Sequence, residues 1–252
     1  MSNVTIMPCL DMRDGRVVKG VRFVDIQDAG DPVECCRAYC AAGADAIAML
    51  DIAATVENRP TLLEVVRRVA DVATVPLTVG GGIRDTASAA AVLAAGADKI
   101  SISSSAFRRP AVMGEIIREC GRDAVVAAID AAINPSMPSG YEVWIDGGRT
   151  ATGADVVEWA RRLEDTGVAV ILPTSKSADG VRSGYDLPLL RALRKAVRAQ
   201  LVASGGAGKL EHFYEAVDAG ADILLAASVF HFGIIGISEL KQYLRSRGVA
   251  VS

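Results

Sequence analysis

Short runs of Val, Ile and Leu alternate along the chain with segments whose apolar positions recur every three or four residues. The first pattern predicts buried parallel strands, and the second predicts amphipathic helices. The predicted strands are Val4 to Leu10, Ala46 to Asp51, Pro76 to Val79, Lys99 to Ser103, Ala124 to Asp130, Ala169 to Leu172, Gln200 to Ala203 and Ile223 to Ala226. Eight strands alternating with helices predict an α/β fold, a closed (βα)8 TIM barrel.

The two halves of the chain repeat each other. LTVGGGIRDTASAAAVLAAGAD in the first half aligns without a gap with LVASGGAGKLEHFYEAVDAGAD in the second, which pairs Gly82 with Gly206 and Ser104 with Ser228. The repeat predicts one barrel domain over residues 1–252, made of two duplicated half-barrels of about 1–121 and 122–252.

Length and composition agree with one globular barrel. The chain has 252 residues, 51% hydrophobic and 23% charged, and barrels of about 250 residues commonly form a single domain. A net charge of -3 gives no electrostatic reason to expect nucleic acid or a membrane as partner. The beginning MSNVTIMPCLD has no basic segment followed by a long apolar run, so a cytoplasmic location is expected.

Cysteine and histidine usage argues against metal chemistry. The five cysteines form no CxxC pair and the chain has only two histidines, so neither a disulfide framework nor a metal site is predicted. We expect no metal and no cofactor.

Two glycine segments, VGGG at 79–82 and SGGAG at 204–208, each lie between a strand and a helix. A single Gly-Gly pair is typical of a tight turn, but two copies at symmetric positions favour loops whose N–H groups bind phosphate. The segments SISSSAF and LAASVFHF add hydroxyl groups one unit later. The predicted substrate and phosphate residues are Gly82, Ser103 and Ser104 in one site, Gly180, Gly206, Ala227 and Ser228 in the other, and Asp51, Asp179, Ser204 and Gly205 beside them.

Two aspartates are the candidate acid and base. Asp11 closes the apolar run TIMPCL and Asp130 closes VVAAI, so each is expected at the carboxyl rim of its strand, on opposite sides of the barrel. The alternative is that such rim aspartates only cap loop N–H groups, and for Asp51 the two interpretations stay open. Lys19, in GRVVKG, is a candidate for neutralising substrate charge or closing the site.

Long insertions follow the first and fifth strands, at 12–30 and 131–153. Loops at strand carboxyl ends build the active sites of barrel enzymes, so both are candidate lids. The alternating segment YEVWIDGG predicts part of a small hairpin.

With these residues in place, the chain resembles the cyclase subunits of imidazole glycerol phosphate synthase, a lyase of histidine biosynthesis. The resemblance runs almost end to end, through MPCLDMRDGRVVKG, LTVGGGIRD, GADKISI, DGVRSGYD, ASGGAGKLEHF and LAASVFHF. It implies that the substrate is N'-phosphoribulosyl-formimino-aminoimidazole carboxamide ribonucleotide, with a phosphate at each end. Ammonia from a glutaminase subunit at the amino-terminal face of the barrel would be added as the substrate is cleaved to imidazole glycerol phosphate and aminoimidazole carboxamide ribonucleotide. Asp11, Asp130 and Lys19 match the catalytic residues of the family.

Several positions depart from the family pattern. The ring of four charged residues that gates ammonia in the family is matched here by Thr5, Ala46, Lys99 and Val170. The family's asparagine, threonine, aspartate and threonine around the substrate are matched by Ser103, Ala53, Ser177 and Val181, and Pro173 and Lys176 are unusual. We expect Lys99 to reach solvent, to pair with another acid such as Asp98, or to have a lowered pKa.

Three hypotheses therefore stay open. The chain is a cyclase of this family, or a paralogous barrel enzyme that cyclises or aminates a different phosphorylated substrate with free ammonia, or a subunit that binds a phosphorylated ligand without catalysis.

Overall fold

The eight predicted strands form a closed parallel barrel. The computed structural model describes residues 3–21 and 24–252, and it describes the side chains of 3–18 and 28–252. The strands are β1 (Thr5–Arg13), β2 (Arg16–Val21), β3 (Val24–Gly30), β4 (Ile47–Asp51), β5 (Leu77–Gly80), β6 (Lys99–Ile102), β7 (Val125–Ile133), β8 (Tyr141–Ile145), β9 (Thr150–Asp155), β10 (Val170–Ser175), β11 (Gln200–Ala203) and β12 (Ile223–Ala226). Parallel pairs run β1, β4, β5, β6, β7, β10, β11, β12, and the pairing of β12 with β1 closes the ring.

Helices lie between the barrel strands and cover its outer surface. They are α1 (Pro32–Ala41), α2 (Leu63–Ala70), α3 (Thr86–Ala94), α4 (Ser104–Arg108), α5 (Ala111–Cys120), α6 (Val156–Asp165), α7 (Leu187–Ala196), α8 (Leu210–Asp218), α9 (Ser228–His231) and α10 (Ile237–Ser246), with a 3-10 turn at Arg122–Ala124. The sequence explains the entry to α1, since Asp31 accepts a hydrogen bond from the Val33 N–H at 2.9 Å and Pro32 begins the helix.

Strand alternation divides the core into an outer and an inner part. On β1, Ile6 and Leu10 pack outward with the helices, whereas Met7 and Cys9 belong to the cluster that fills the barrel. Because side chains alternate along a strand, the next inward position after Cys9 is Asp11. On β7, Val126 and Ala128 pack in the same inner cluster, so the next inward position is Asp130.

Both insertions form antiparallel hairpins. The second was predicted in part, and β8 pairs with both β7 and β9. The first was predicted only as a loop, but β2 pairs with β1 and β3. As a result β1 and β7 continue beyond Asp11 and Asp130 into the hairpins, further than the predicted strands Val4 to Leu10 and Ala124 to Asp130.

Among the helices of the described residues, none is long and apolar enough to cross a membrane.

Candidate active site

A cavity of about 630 Å³ opens at the carboxyl ends of the barrel strands. Every predicted catalytic or binding residue whose side chain is described lines it: Asp11, Asp51, Gly82, Ser103, Ser104, Asp130, Asp179, Gly180, Ser204, Gly205, Gly206, Ala227 and Ser228. The predicted residues of both halves therefore surround one site. The backbone of Lys19 lies in β2 opposite Gln27, but its side chain lies outside the described residues.

Asp11 is buried at the wall of this cavity. Its side chain is 9% exposed, and the thiol of Cys9 lies 3.1 Å from Oδ1 in donating geometry. Cys9 is the preceding inward residue of β1 and also lines the cavity. The thiol therefore holds one carboxylate oxygen of Asp11 from the side of the barrel core.

The carboxyl of Asp130 has a pKa above its ordinary value. Burial raises the pKa of its carboxyl from 3.8 to about 6, against the lowering effects of the Gly148 backbone and of Lys176, and the charge of Asp179 raises it further. A group with a pKa near neutrality can both accept and release a proton during turnover. Asp130 is thus the described residue best suited to acid or base chemistry.

Asp51 has a different orientation from these two aspartates. On β4, Ala48 and Leu50 pack with the barrel interior, so Asp51 is out of phase with them. Its carboxylate accepts hydrogen bonds from the Ala54 N–H at 3.0 Å and from two nitrogens of the Arg59 guanidinium. These contacts favour the capping interpretation of Asp51, and a role in binding stays a prediction.

The two glycine segments have closely similar backbones. The equivalent residues Gly81 and Gly205 have φ of 97° and 86°, and Gly82 and Gly206 have φ of 76° and 105°, a region that glycine adopts without strain. A Cβ at Gly81 would collide with the carbonyl oxygen of Asp51, and one at Gly206 with that of Gly184. Each loop therefore needs a glycine to pack against the neighbouring loop at the cavity wall.

The turn of the β8–β9 hairpin is fixed against α4. Asp146, in its turn, donates its N–H to the Ser104 hydroxyl at 2.9 Å. Its carboxylate accepts from Arg108 at 2.6 Å and from the Thr150 hydroxyl at 2.9 Å. The hairpin therefore joins the predicted phosphate residue Ser104 to the second insertion.

Arginines in the cavity wall were not among the predicted residues. The lining includes Arg13, Arg84, Arg108, Arg109, Arg149 and Arg182. Guanidinium groups bind phosphate oxygens strongly, so they suit the predicted anionic substrate. Arg84 follows the first glycine segment, and Arg13 and Arg149 lie in the insertions, so these three offered a possible signal. Sequence position does not show which of many arginines reach a cavity.

The positions that match the family's charged ring lie at the other end of the barrel. Ala46 and Val170 are buried in the inner cluster, and Thr5 begins β1. Nζ of Lys99 donates to the carbonyl oxygen of Asp123 at 2.6 Å. Asp98 instead accepts from the Leu77 N–H at 2.8 Å, so the pairing of Lys99 with Asp98 is not what the structure shows.

In the part of the chain that the structure describes, no group of three or more His, Cys, Asp or Glu side chains could hold a metal ion. The expected absence of a cofactor stays a prediction.

A (βα)8 barrel with inward aspartates and paired glycine loops in a cavity at its carboxyl face is typical of the class of barrel enzymes. The family model described as "Histidine biosynthesis protein" matches residues 5–236. Two relatives are named imidazole glycerol phosphate synthase subunit HisF. The one from Thermobifida fusca is 52% identical over 251 residues, which are 98% of each chain. The one from Salinispora tropica is 49% identical over 247 residues, which are 97% of each chain.

The chain belongs to this histidine biosynthesis family. The comparisons confirm the predicted family, the predicted barrel and the prediction of an enzyme with a cyclase function in histidine biosynthesis.

Proposed function

We propose that this chain converts N'-phosphoribulosyl-formimino-aminoimidazole carboxamide ribonucleotide and ammonia to imidazole glycerol phosphate and aminoimidazole carboxamide ribonucleotide. The observation that carries the proposal is that Asp11 and Asp130, on opposite barrel strands, line one cavity with both glycine segments. The names and near-complete coverage of the two relatives support it.

The two ends of the substrate carry phosphates, and the two half-barrels supply the matching sites. The first phosphate would lie at Gly82, Ser103 and Ser104, and the second at Gly206 and Ser228. Lining arginines would neutralise the remaining charge. The reacting middle of the substrate then lies between the two walls that carry the aspartates.

Addition of ammonia and cleavage of the substrate both need proton transfers. We assign proton acceptance to Asp130, since a carboxyl with a pKa of about 6 is mostly ionised at neutral pH and can still release its proton afterwards. Asp11, on the opposite wall of the same cavity, is the second residue of the acid and base pair. Lys19, by its position in the first insertion, would neutralise charge on the bound substrate.

The residues at the amino-terminal end of the barrel bear on the source of ammonia. The relatives are named as subunits, so a glutaminase partner at the amino-terminal face of the barrel is the expected arrangement. Here Ala46 and Val170 are apolar, and Lys99 is hydrogen bonded to the Asp123 carbonyl. We propose that the chain works with free ammonium and gains little from a glutaminase.

A second candidate is a paralogous reaction on another phosphorylated substrate with free ammonia. Ser103 lines the cavity where the family has asparagine, and Ala53 lines it where the family has threonine. Both changes remove side-chain atoms around the reacting middle and leave the glycine segments intact.

The decisive test is turnover of the family substrate by the purified chain with ammonium salt. The proposal expects formation of both products, with loss of activity in Asp130→Asn. Tight binding of the substrate without product would instead favour the second candidate.

We also propose that the chain is one domain built of two half-barrels, at about 1–121 and 122–252. The equivalent glycines at 81 and 205 both have positive φ, 97° and 86°, and α4 and α9 begin at the equivalent residues Ser104 and Ser228.

A further inference from the structure

One lysine beside the cavity has no role in the function proposed above. Lys176 follows the last residue of β10, a strand on which Leu172 packs in the barrel interior and Thr174 lines the cavity. Thr174 is the strand partner of Asp130. Alternation places Lys176 next in the same inward series, one step above Asp130.

The opposite phase of the strand confirms this direction. Ser175 is 1% exposed and donates its hydroxyl to Asp186, the residue that caps α7, at 2.8 Å. The Lys176 N–H donates to the Ala131 carbonyl at 2.9 Å. The backbone at Lys176 is therefore held by the neighbouring strand, and its side chain leaves on the side of Asp130.

The side chain of Lys176 lies close to two residues of the β8–β9 hairpin, Trp144 and Gly148. Its Nζ lies 3.3 Å from the centroid of the Trp144 ring, and Trp144 is the strand partner of Asp130 on β8. A methyl group at Gly148 would lie 3.3 Å from Cδ of Lys176, so the stem passes close over this turn. A lysine stacked on an indole gains cation–π attraction.

Asp130 and Lys176 interact electrostatically in this arrangement. Burial lowers the pKa of Lys176, and the charge of Asp130 raises it. In turn Lys176 lowers the pKa of Asp130, which burial holds at about 6. Lys176 and Trp144 both lie within the described residues, and neither lines the cavity. Lys176 would therefore affect the reaction through its effect on Asp130.

We propose that Lys176 is a positioning residue that the Trp144 ring holds behind Asp130, where its charge keeps the carboxylate in its proton-accepting form. The proposal rests on the role of Asp130 in the proposed function. Of the other charged groups, Asp179 after β10 also acts on Asp130. Asp11 on β1, Arg149 in the hairpin turn and Arg108 of α4, which pairs with Asp146, lie on the walls of the same cavity. Lys176 differs from these groups in that its Nζ lies over the Trp144 ring.

Lys176 is one of the positions at which the chain departs from the family pattern, and the added charge would change how the activity depends on pH. A cation at the rim raises the fraction of ionised Asp130 at mildly acidic pH without entering the space that the substrate fills. The enzyme would then keep activity at lower pH than it would with an apolar side chain at 176.

The test is a titration of Asp130 in protein labelled with ¹³C at the aspartate carboxyls. Asp130→Asn identifies its resonance. We expect Lys176→Met to move the titration midpoint upward by about 1 pH unit, the low end of what an opposite charge within about 6 Å produces. Lys176→Arg should restore the midpoint, and Lys195→Met, on the exposed side of α7, should leave it unchanged.

Trp144→Leu gives a second variant that keeps the lysine and removes its platform. It should move the midpoint in the same direction by a smaller amount. A midpoint that stays constant or falls in both Lys176→Met and Trp144→Leu would overturn the proposal.

The same variants separate this inference from the proposed function. The acid limb of the pH profile of kcat/KM should move upward with the Asp130 midpoint in Lys176→Met. If the midpoint moves but Asp130→Asn keeps full turnover, the electrostatic link is correct and the role of Asp130 is wrong.

Discussion

The guanidinium of Arg59 binds the Asp51 carboxylate at two points, with Nη1 2.6 Å from Oδ2 and Nη2 2.9 Å from Oδ1. The same carboxylate accepts the N–H groups of Ala53 and Ala54. Asp51 is 8% exposed, so the pair fixes the loop after β4 where it supports Gly81. This contact is part of the scaffold on which the first glycine segment rests.

Replacement of Arg59 by Met should destabilise the protein. Loss of one partner of a buried pair costs about 3 to 5 kcal/mol, and partial exposure of Arg59 reduces this to roughly 1 to 3 kcal/mol. Urea unfolding at pH 7 measures the change. Arg67→Met on exposed α2, which removes a surface ion pair with Glu64 at 3.5 Å, is the matched control. Equal stability of the two variants would mean that the Asp51 pair contributes nothing.

Asp11→Asn and Asp130→Asn should keep the fold and bind substrate, but lose most turnover. General acid or base groups contribute about 100-fold to 10,000-fold to rate, and asparagine nearly preserves the shape of each side chain. Steady-state kinetics and calorimetric binding of the substrate measure the two effects. A parallel loss of affinity and activity would assign the aspartates to positioning and contradict the mechanism.

Asp130→Asn should also stabilise the protein at neutral pH. The folded-state pKa of about 6 is above the ordinary value of 3.8, so the folded protein holds this proton more tightly than the unfolded chain. Stability therefore falls as pH rises from about 4 to 6, and the variant lacks this cost, which is about 1 to 3 kcal/mol. Chemical unfolding at pH 5 and pH 8 tests this, and an equal effect of the substitution at both pH values would show that Asp130 titrates normally.

Two phosphate ions should bind at the carboxyl face, one at Gly82 and Ser104 and one at Gly206 and Ser228. These residues of both half-barrels line the same cavity, and backbone N–H groups of glycine loops bind anions. A crystal soaked in phosphate shows the sites directly. One occupied site, or ions at the amino-terminal face, would contradict the argument from duplication.

Gly206→Ala should weaken only the second phosphate site. An added Cβ collides with the Gly184 carbonyl, so the loop must move. Gly233→Ala, at a glycine whose Cβ would meet nothing within 4 Å, is the control for substitution at positive φ. Phosphate titrations followed by NMR distinguish the two sites, and equal weakening by both variants would point to a global effect.

Ammonium should support turnover at least as well as glutamine with a glutaminase. Ala46 and Val170 are apolar members of the inner cluster at this end, and Lys99 is held by a backbone carbonyl, so three of the four ring positions carry no charge and we expect weak coupling to a partner. The measurement compares initial rates with each nitrogen source. Glutamine-dependent turnover that exceeds the ammonium rate and collapses in Lys99→Ala would show that a working gate remains.

Local sequence patterns determined the barrel and its principal aspartates. The apolar runs TIMPCL and VVAAI are properties of each strand alone, and the aspartate that follows each run is predicted at the carboxyl rim. The inward direction of Asp11 and Asp130 was decided by the barrel, since Asp51 follows a similar run and is out of phase with the inner cluster. The repeat of the glycine segments is equally local, and the cavity lining contains every described residue predicted from it.

Contacts between distant segments were decided only by the tertiary structure. The first insertion pairs as a hairpin because β1 continues into it. Arg59 reaches Asp51 because β4 presents that carboxylate outside the barrel axis. Lys176 lies over Trp144 because two strands bring them together beside Asp130. Each of these depends on strand pairing, register and burial across the fold, which the order of residues along one segment does not specify.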